Sequence, residues 1–176
     1  MTVGGYASKN GVRMSLHFQI DLAFDIQNKE TDVLVDGLIK LTRNENLGTE
    51  QKKLIPKIFK FVSSTEMSNS FHGRSIFYIN NHYRYTKDKV DVSKWTFHFR
   101  QVFNDDLFYE EGYPLIAWLA TISETEGFIG YIKEEFSESP MLIYFRDGIV
   151  KLVEKKKDDI TFKLSDFDLS QTIWKD

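Results

Sequence analysis

The sequence contains no cysteine, so the chain forms no disulfide and offers no thiolate for zinc, iron–sulfur or nucleophilic chemistry. It also lacks an apolar run long enough to cross a bilayer. The first residues, Met1–Arg13, contain no hydrophobic segment and do not have the form of a secretory signal. Since the absence of cysteine fits a reducing compartment, we expect a cytoplasmic protein.

Signatures of common catalytic and cofactor sites are missing as well. The chain has no Gly-x-Ser-x-Gly elbow, no Walker loop and no Gly-x-Gly-x-x-Gly motif after a strand. Its four histidines, His17, His72, His82 and His98, include no pair at the i, i+4 spacing of a zinc protease. The string Phe71–Ser75 combines His, Arg and Ser but has no glycine-rich cradle for a phosphate. We therefore expect a protein that is not an enzyme, with no catalytic residue, cofactor or metal.

The composition is that of a folded domain. Of the 176 residues, 41% are hydrophobic and 15% aromatic, which is enough apolar surface for one core and argues against disorder. We expect residues 1–13 to be a loose leader or an expression remnant, with Met14 as a candidate native start. Residues 14–176 then form a single domain, because no linker or repeat divides them.

Apolar periodicity predicts the elements of the first third of the chain. Unbroken alternation from Leu16 to Ile26 predicts a strand with one buried face. Asp32–Arg43 carries a helical stripe, although Asp36-Gly37 leaves open a hairpin between two short strands. Thr49–Val62 also has helical spacing, and its Pro56 requires that the helix start or kink there. The buried positions of the strand are Leu16, Phe18, Ile20, Leu22, Phe24 and Ile26.

The middle of the chain predicts a hairpin and a helix. Ser75–Tyr85 is rich in strand formers and is expected to turn at Asn80-Asn81, before a charged loop. Trp95–Val102 alternates again and predicts another strand. Tyr113–Glu124 predicts a helix with proline in its first turn, closed by Gly127 at its C-terminus. Trp118 and Leu119 of this helix are expected to join the buried face of the first strand.

The last third predicts strands joined by short turns. Phe128–Ile132 is one strand, and Met141–Phe145 pairs with Ile149–Val153 around the turn Asp147-Gly148. Ile160 to Leu164 predicts a final strand. Because hairpins require antiparallel pairing and strands outnumber helices, we predict an α+β fold, a mostly antiparallel sheet with a few packed helices.

Acidic residues concentrate in one segment of the sequence. Between Gln101 and Asp147 there are ten acids and two bases. Such a stretch is either an ordinary solvated surface or a face for a basic protein partner. Under the second interpretation, which involves no direct contact with nucleic acid or membrane, the partner-binding residues are Asp105, Asp106, Phe108, Tyr109, Glu110, Glu111, Glu124, Glu126, Glu134 and Glu135.

The segment from Glu110 to Val153 also carries a resemblance. A helix is followed by GFIGYIKEE from Gly127 to Glu135 and by LIYFRDG from Leu142 to Gly148. This arrangement, about a quarter of the chain, resembles immunity proteins of bacterial polymorphic-toxin systems. The resemblance implies a cytoplasmic, non-catalytic inhibitor that neutralises one cognate toxin, and no individual functional residue carries over. The alternatives are a phage-encoded anti-defence inhibitor, or an enzyme whose site assembles from dispersed His, Arg and carboxylate residues.

Overall fold

The computed structural model describes residues 16–27, 31–57, 76–86, 89–154 and 157–169. The expected leader over residues 1–13, the string Phe71–Ser75 and the expected helical positions from Ile58 to Val62 lie outside these ranges. Seven strands join in one antiparallel sheet with the order β2-β3-β1-β4-β5-β6-β7. They are β1 (His17–Asp25), β2 (Ile76–Thr86), β3 (Lys89–Asn104), β4 (Gly127–Glu134), β5 (Met141–Arg146), β6 (Ile149–Val153) and β7 (Ile160–Lys163).

Three helices pack on one face of this sheet: α1 (Thr31–Thr42), α2 (Thr49–Leu54) and α3 (Tyr113–Ile122). A short α-helical turn, Asp105–Leu107, and a π-helical turn, Phe108–Gly112, connect β3 to α3. The predicted α+β class is therefore confirmed. Within the described ranges, no helix has both the length and the apolar character needed to cross a membrane.

The first strand lies at the centre of the sheet, between β3 and β4. Its predicted inward residues are confirmed, since Phe18, Ile20, Leu22, Phe24 and Ile26 are all 3% exposed or less, while Leu16 is partly buried. Trp118 and Leu119 of α3 belong to the same core, as expected. The opposite face of β1 was expected to be exposed, but three of its polar residues are also buried: Gln19, Asp21 and Asp25. A central strand has neighbours on both sides, and their long side chains cover it.

The structure of α1 and α2 decides between the helix and the hairpin predicted for Asp32–Arg43. It also corrects the predicted end of the second helix. Thr31–Thr42 is helical, so Asp36-Gly37 is not a hairpin turn. A Cβ added at Gly37 would lie 2.6 Å from Ile55 Cδ1, so the glycine allows the chain after α2 to approach α1 closely. The helix α2 begins at Thr49 but does not run on through Pro56: it ends at Leu54, and Ile55 is already extended. The residue before a proline is disfavoured in the helical conformation, which places the helix end there.

Two predicted turns are also corrected. Asn80 and Asn81 do not turn: they pair with Thr96 and Trp95, and β2 continues to Thr86. The ladder runs on to the pair Thr86 and Lys89, because pairing with the long strand β3 keeps Asn80 and Asn81 extended although both residues tolerate a turn. Asp147 and Gly148, with φ of 51° and 71°, do form the predicted tight turn.

The expected helix stop at Gly127 is likewise wrong. Helix α3 ends at Ile122, where Ser123 becomes extended and bridges to Ile26. The backbone N–H of Gln27 donates to the Ile122 carbonyl at 2.9 Å, so the chain leaving β1 holds the helix end. Gly127 instead begins β4, with a φ of 96°. A tertiary contact therefore replaces the local glycine cap.

Close contact between β1 and β4 depends on Gly130. A Cβ at this position would lie 2.1 Å from the Asp21 carbonyl oxygen and 2.6 Å from Leu22 Cα, both backbone atoms. We therefore expect Gly130→Ala to lower the free energy of unfolding by about 3 kcal/mol, as overpacking in a rigid site does. Urea denaturation followed by circular dichroism measures this change.

Gly48→Ala is the matched control for this substitution. A Cβ there would meet only Gln51 Oε1 at 3.5 Å, an ordinary contact. Its cost should stay near that of losing a glycine N-cap, about 0.5 kcal/mol. Equal stability losses in the two variants would contradict the proposed role of Gly130.

Candidate functional site

The end of the sheet where β1 begins gathers acidic residues from three elements. The Asp105 N–H donates to the Leu16 carbonyl at 2.8 Å, and the Glu135 N–H donates to the His17 carbonyl at 2.9 Å. In the strand register, Phe18 lies opposite Glu134. These backbone bonds bring the end of β3 and the end of β4 to either side of β1, so acids nearly thirty positions apart in sequence share one edge.

The helical turns after β3 add further carboxylates and one aromatic ring. Asn104 begins the first turn, and its side chain accepts a hydrogen bond from the Leu107 N–H at 2.8 Å. Tyr109 is 42% exposed, and its ring contacts that of Phe18 edge-on at 5.8 Å. Burial raises the pKa of Tyr109, and the nearby carboxylates of Glu134 and Asp105 raise it further. The Tyr109 hydroxyl group therefore lies close to the carboxylates of Glu134 and Asp105.

We call this surface the acidic end. It comprises Asp105, Asp106, Tyr109, Glu110, Glu111, Glu134 and Glu135. Asp106 and Glu110 are exposed, whereas Glu135 is partly buried and contacts the His17 ring nitrogen Nδ1 at 2.9 Å. Lys157, bound to Glu154 at 2.8 Å, is a base close enough to oppose the effect of the acids on the Tyr109 pKa. Six of the eight acids predicted for the partner-binding surface thus lie together.

The remaining predicted residues are placed elsewhere. Glu124 and Glu126 precede β4 and lie at its other end, about 20–25 Å from Glu134 for a strand of eight residues. Glu124 forms an ion pair with Lys94 there. Phe108 is fully buried and stacks on Phe18 at 4.2 Å between ring centroids. The single surface expected from sequence is therefore divided, and Phe108 belongs to the core that supports it.

Glu111 is the unusual acid of this end. Its Oε2 atom is buried without a hydrogen-bond partner among the described residues. Burial raises the pKa of Glu111, and the neighbouring Glu110 carboxylate raises it further. The π-helical turn holds this residue in place, and π-helical turns are frequent at functional positions. Ionised Glu111 therefore destabilises the free protein.

Glu111→Gln tests this consequence through pH. Because the folded pKa is raised, the unfolded chain ionises first, and the wild type loses stability as pH rises from about 4.5 through the folded pKa. The variant cannot ionise, so we expect it to be more stable than the wild type at neutral pH. The gain should be roughly 0.5 kcal/mol or less, since the side chain is partly exposed and solvent screens its charge.

Thermal unfolding of both proteins between pH 4 and pH 8 gives the comparison. The two stabilities should converge at the acidic limit and separate towards neutral pH. Glu126→Gln, the same substitution on an exposed residue at the other end of β4, is the matched control. A Glu111→Gln variant that is less stable than the wild type at neutral pH would contradict the assignment.

A second polar cluster lies on the open face, the face of the sheet opposite the helices. Asp21 of β1 accepts hydrogen bonds from Arg100 Nε at 2.7 Å, from Arg100 Nη2, and from the Tyr131 hydroxyl at 3.3 Å. His98 Nε2 lies 3.1 Å from the other carboxylate oxygen. Three residues from two neighbouring strands thus surround one nearly buried carboxylate.

Two other histidines also lie beside carboxylates. His82 Nδ1 is 2.9 Å from the Thr96 hydroxyl, which donates to Asp25 at 2.9 Å. His17 contacts Glu135, as described above. A carboxylate that orients an imidazole is a common arrangement for general acid–base chemistry. Within the described ranges, no group of three His, Asp or Glu residues is arranged to hold a metal ion.

The Asp21 cluster was not predicted from the sequence. The only sequence signal is that His98 and Arg100 alternate with the apolar Phe97 and Phe99, as Asp21 alternates with Ile20 and Leu22. That alternation assigns these residues to the polar faces of their strands, but it does not determine which of them lie opposite one another. Pairing of Asp21 with Arg100 across β1 and β3 is a tertiary fact.

Comparisons with known proteins add no relative to this description. Neither a scan against protein-family models nor searches of curated proteins and solved structures found a match. The chain is thus defined as an α+β protein with a seven-stranded antiparallel sheet and two polar surfaces, and its function is inferred from its own residues.

Proposed function

We propose that this protein is a non-catalytic inhibitor of the immunity type, which binds and neutralises a cognate bacterial toxin through its acidic end. The observation that carries the proposal is the acidic end itself, where Asp105 and Glu134 lie near the half-exposed ring of Tyr109 and four further acids stand on the same elements. Toxins that act on nucleic acid need basic clefts for phosphate, and an acidic surface competes for such a cleft.

The acidic end supplies two things that a tight inhibitor needs. Exposed carboxylates such as Asp106 and Glu110 steer a basic partner during diffusion and so raise the association rate. Charge alone seldom holds a complex, and long residence depends on aromatic or arginine anchors that lose their water. Tyr109 fits that role, because its ring is supported underneath by Phe18 and Phe108 while one side remains open.

Rigidity also supports an inhibitory role. The acids extend from strand ends and a capped helical turn whose backbone bonds tie them to β1. A surface that is already ordered loses little conformational entropy on binding, which favours affinity.

The proposal is tested with the product of the neighbouring gene, because immunity genes adjoin their toxins. We expect a stable one-to-one complex and inhibition of the toxin. The double variant Asp106→Lys/Glu110→Lys should slow association at least about tenfold at low salt and flatten its salt dependence. Stopped-flow or surface plasmon resonance measures both rates.

The control is Glu124→Lys/Glu126→Lys, which makes the same charge change at the opposite end of β4. It should leave the association rate close to that of the wild type. The acidic end is not the binding surface if the two double variants behave alike or if neither slows association. A neighbouring gene that encodes a phage or defence component would instead favour the anti-defence inhibitor.

A second candidate function is an enzyme, and one observation favours it. Asp21, His98, Arg100 and Tyr131 converge on the open face, and the His98 side chain is 38% exposed. An Asp–His pair beside an arginine can remove a proton and stabilise an anion. Each of these groups also has a structural role, because a nearly buried carboxylate needs donors. The inhibitor is therefore the leading proposal.

Turnover assays distinguish the enzyme from the inhibitor. If the chain hydrolyses any of a panel of ester and phosphodiester substrates, His98→Gln should lower kcat about a hundredfold. The control His17→Gln changes the histidine at the other end of β1 and should leave kcat unchanged. Retention of turnover in His98→Gln, at wild-type stability, would exclude the Asp21 cluster as its catalytic site.

A further inference from the structure

The outer half of the open face, formed by β4 to β7, differs in chemistry from the acidic end. An open groove of about 740 Å³ crosses it, lined on this face by Tyr144, Arg146, Ile149 and Lys151. This volume lies within the range of small-molecule sites, roughly 300–1,000 Å³. The inward residues of the same strands, such as Ile143, Phe145 and Val150, are buried under α3, so the groove is a true outer surface.

The strand register arranges this surface in two adjacent rows. One row runs across all four strands from Phe128 through Tyr144 and Lys151 to Thr161. The other row lies next to it on β5, β6 and β7 and runs from Arg146 through Ile149 to Lys163. An aromatic shelf therefore lies beside a row with a base at each end.

The aromatic shelf is exposed in a way that core aromatics are not. Phe128 is 55% exposed, and its ring contacts Tyr144 edge-on at 5.7 Å between centroids. Exposed rings on an antiparallel sheet are the usual platforms for stacking of nucleobases, since every base has a π-face. Without such a ligand, contact between an apolar ring and water contributes no favourable free energy.

The charges of this half-face favour an anion. The outward residues of β4 to β7 include four bases, Lys133, Arg146, Lys151 and Lys163, and no acid. Two acids from the adjoining loops, Glu126 and Asp147, also line the groove, and Asp147 lies 4.0 Å from Arg146. A third acid, Asp159, binds Lys151 at 2.6 Å. The Arg146 side chain is 84% exposed, and a pair this long and exposed contributes little, so a phosphate displaces it readily.

From these observations we infer that the outer face of β4 to β7 binds a nucleotide, with its base on the Phe128–Tyr144 shelf and its phosphate at Arg146. The ligand is either a free nucleotide or a nucleotide within a single strand. The inference departs from the expectation of no nucleic-acid contact, because the acidity of the whole chain does not extend to the outward residues of these strands. It is independent of the proposed inhibitor function, which uses the acidic end.

Fluorescence anisotropy of a fluorescein-labelled oligothymidylate, with thymidine monophosphate as competitor, tests the site on the full chain. We expect binding that weakens as salt rises. Phe128→Ala should weaken it about tenfold to a hundredfold through loss of stacking. Arg146→Glu should weaken it and reduce the slope of log affinity against log salt by about one or more.

Arg43→Glu is the matched control, since it makes the same charge change on an exposed residue after α1, on the helical side of the sheet. It should bind as the wild type does. Competition by the monophosphate identifies a free nucleotide as sufficient, whereas binding of the oligonucleotide without competition identifies the single strand; either result supports the site. Phe128→Tyr, which keeps a stacking ring, should retain binding even if Phe128→Ala fails to fold.

Three results would overturn the inference. The first is no binding of either probe by the wild type. The second is an equal loss in Arg43→Glu and Arg146→Glu, which would show attraction by net charge alone. The third is equally tight binding of polyglutamate, which would make the face a site for acidic peptides rather than for nucleotides.

Discussion

The fold depends on packing β1 as a strand with neighbours on both edges and with buried side chains on both faces, Ala23 being its one exposed residue. Its inward face supplies apolar residues to the core that the helices close. Its outward face carries Asp21, a nearly buried carboxylate that would be costly without the donors of Arg100 and Tyr131. On the β4 side, Gly130 allows the backbones to approach as closely as they do.

Both candidate surfaces follow from the position of β1. Because β3 and β4 flank it and both end where it begins, their following residues meet at one edge, and acids from Asp105 to Glu135 gather there. The strands beyond β4 contact the helices only through their inward residues, which leaves Phe128, Tyr144 and Arg146 outward. One protein thus presents an acidic end and, on its outer strands, a half-face whose outward residues are aromatic and basic.

Local patterns predicted the elements well where one periodicity dominated. The alternation of Leu16 to Ile26, the stripe of α1 and the Asp147-Gly148 turn each needed only nearby residues, and the structure confirms them. Predictions were wrong where residues that allow a turn or a helix cap locally are held in another conformation by contacts with distant parts of the chain. Asn80-Asn81 allows a turn, but pairing with β3 keeps it extended; Gly127 can cap a helix, but contacts with Ile26 and Gln27 end α3 earlier.

The sequence by itself determined which residues are apolar at each spacing, and hence the α+β class, the buried face of β1 and the acidic character of residues 101–147. Only the tertiary structure decided which acids meet, that Phe108 is buried, and that His98 and Arg100 face Asp21. The physical reason is that periodicity assigns a side chain to a face within one element. Register and strand order join residues far apart in the chain, and they depend on the packing of the whole sheet.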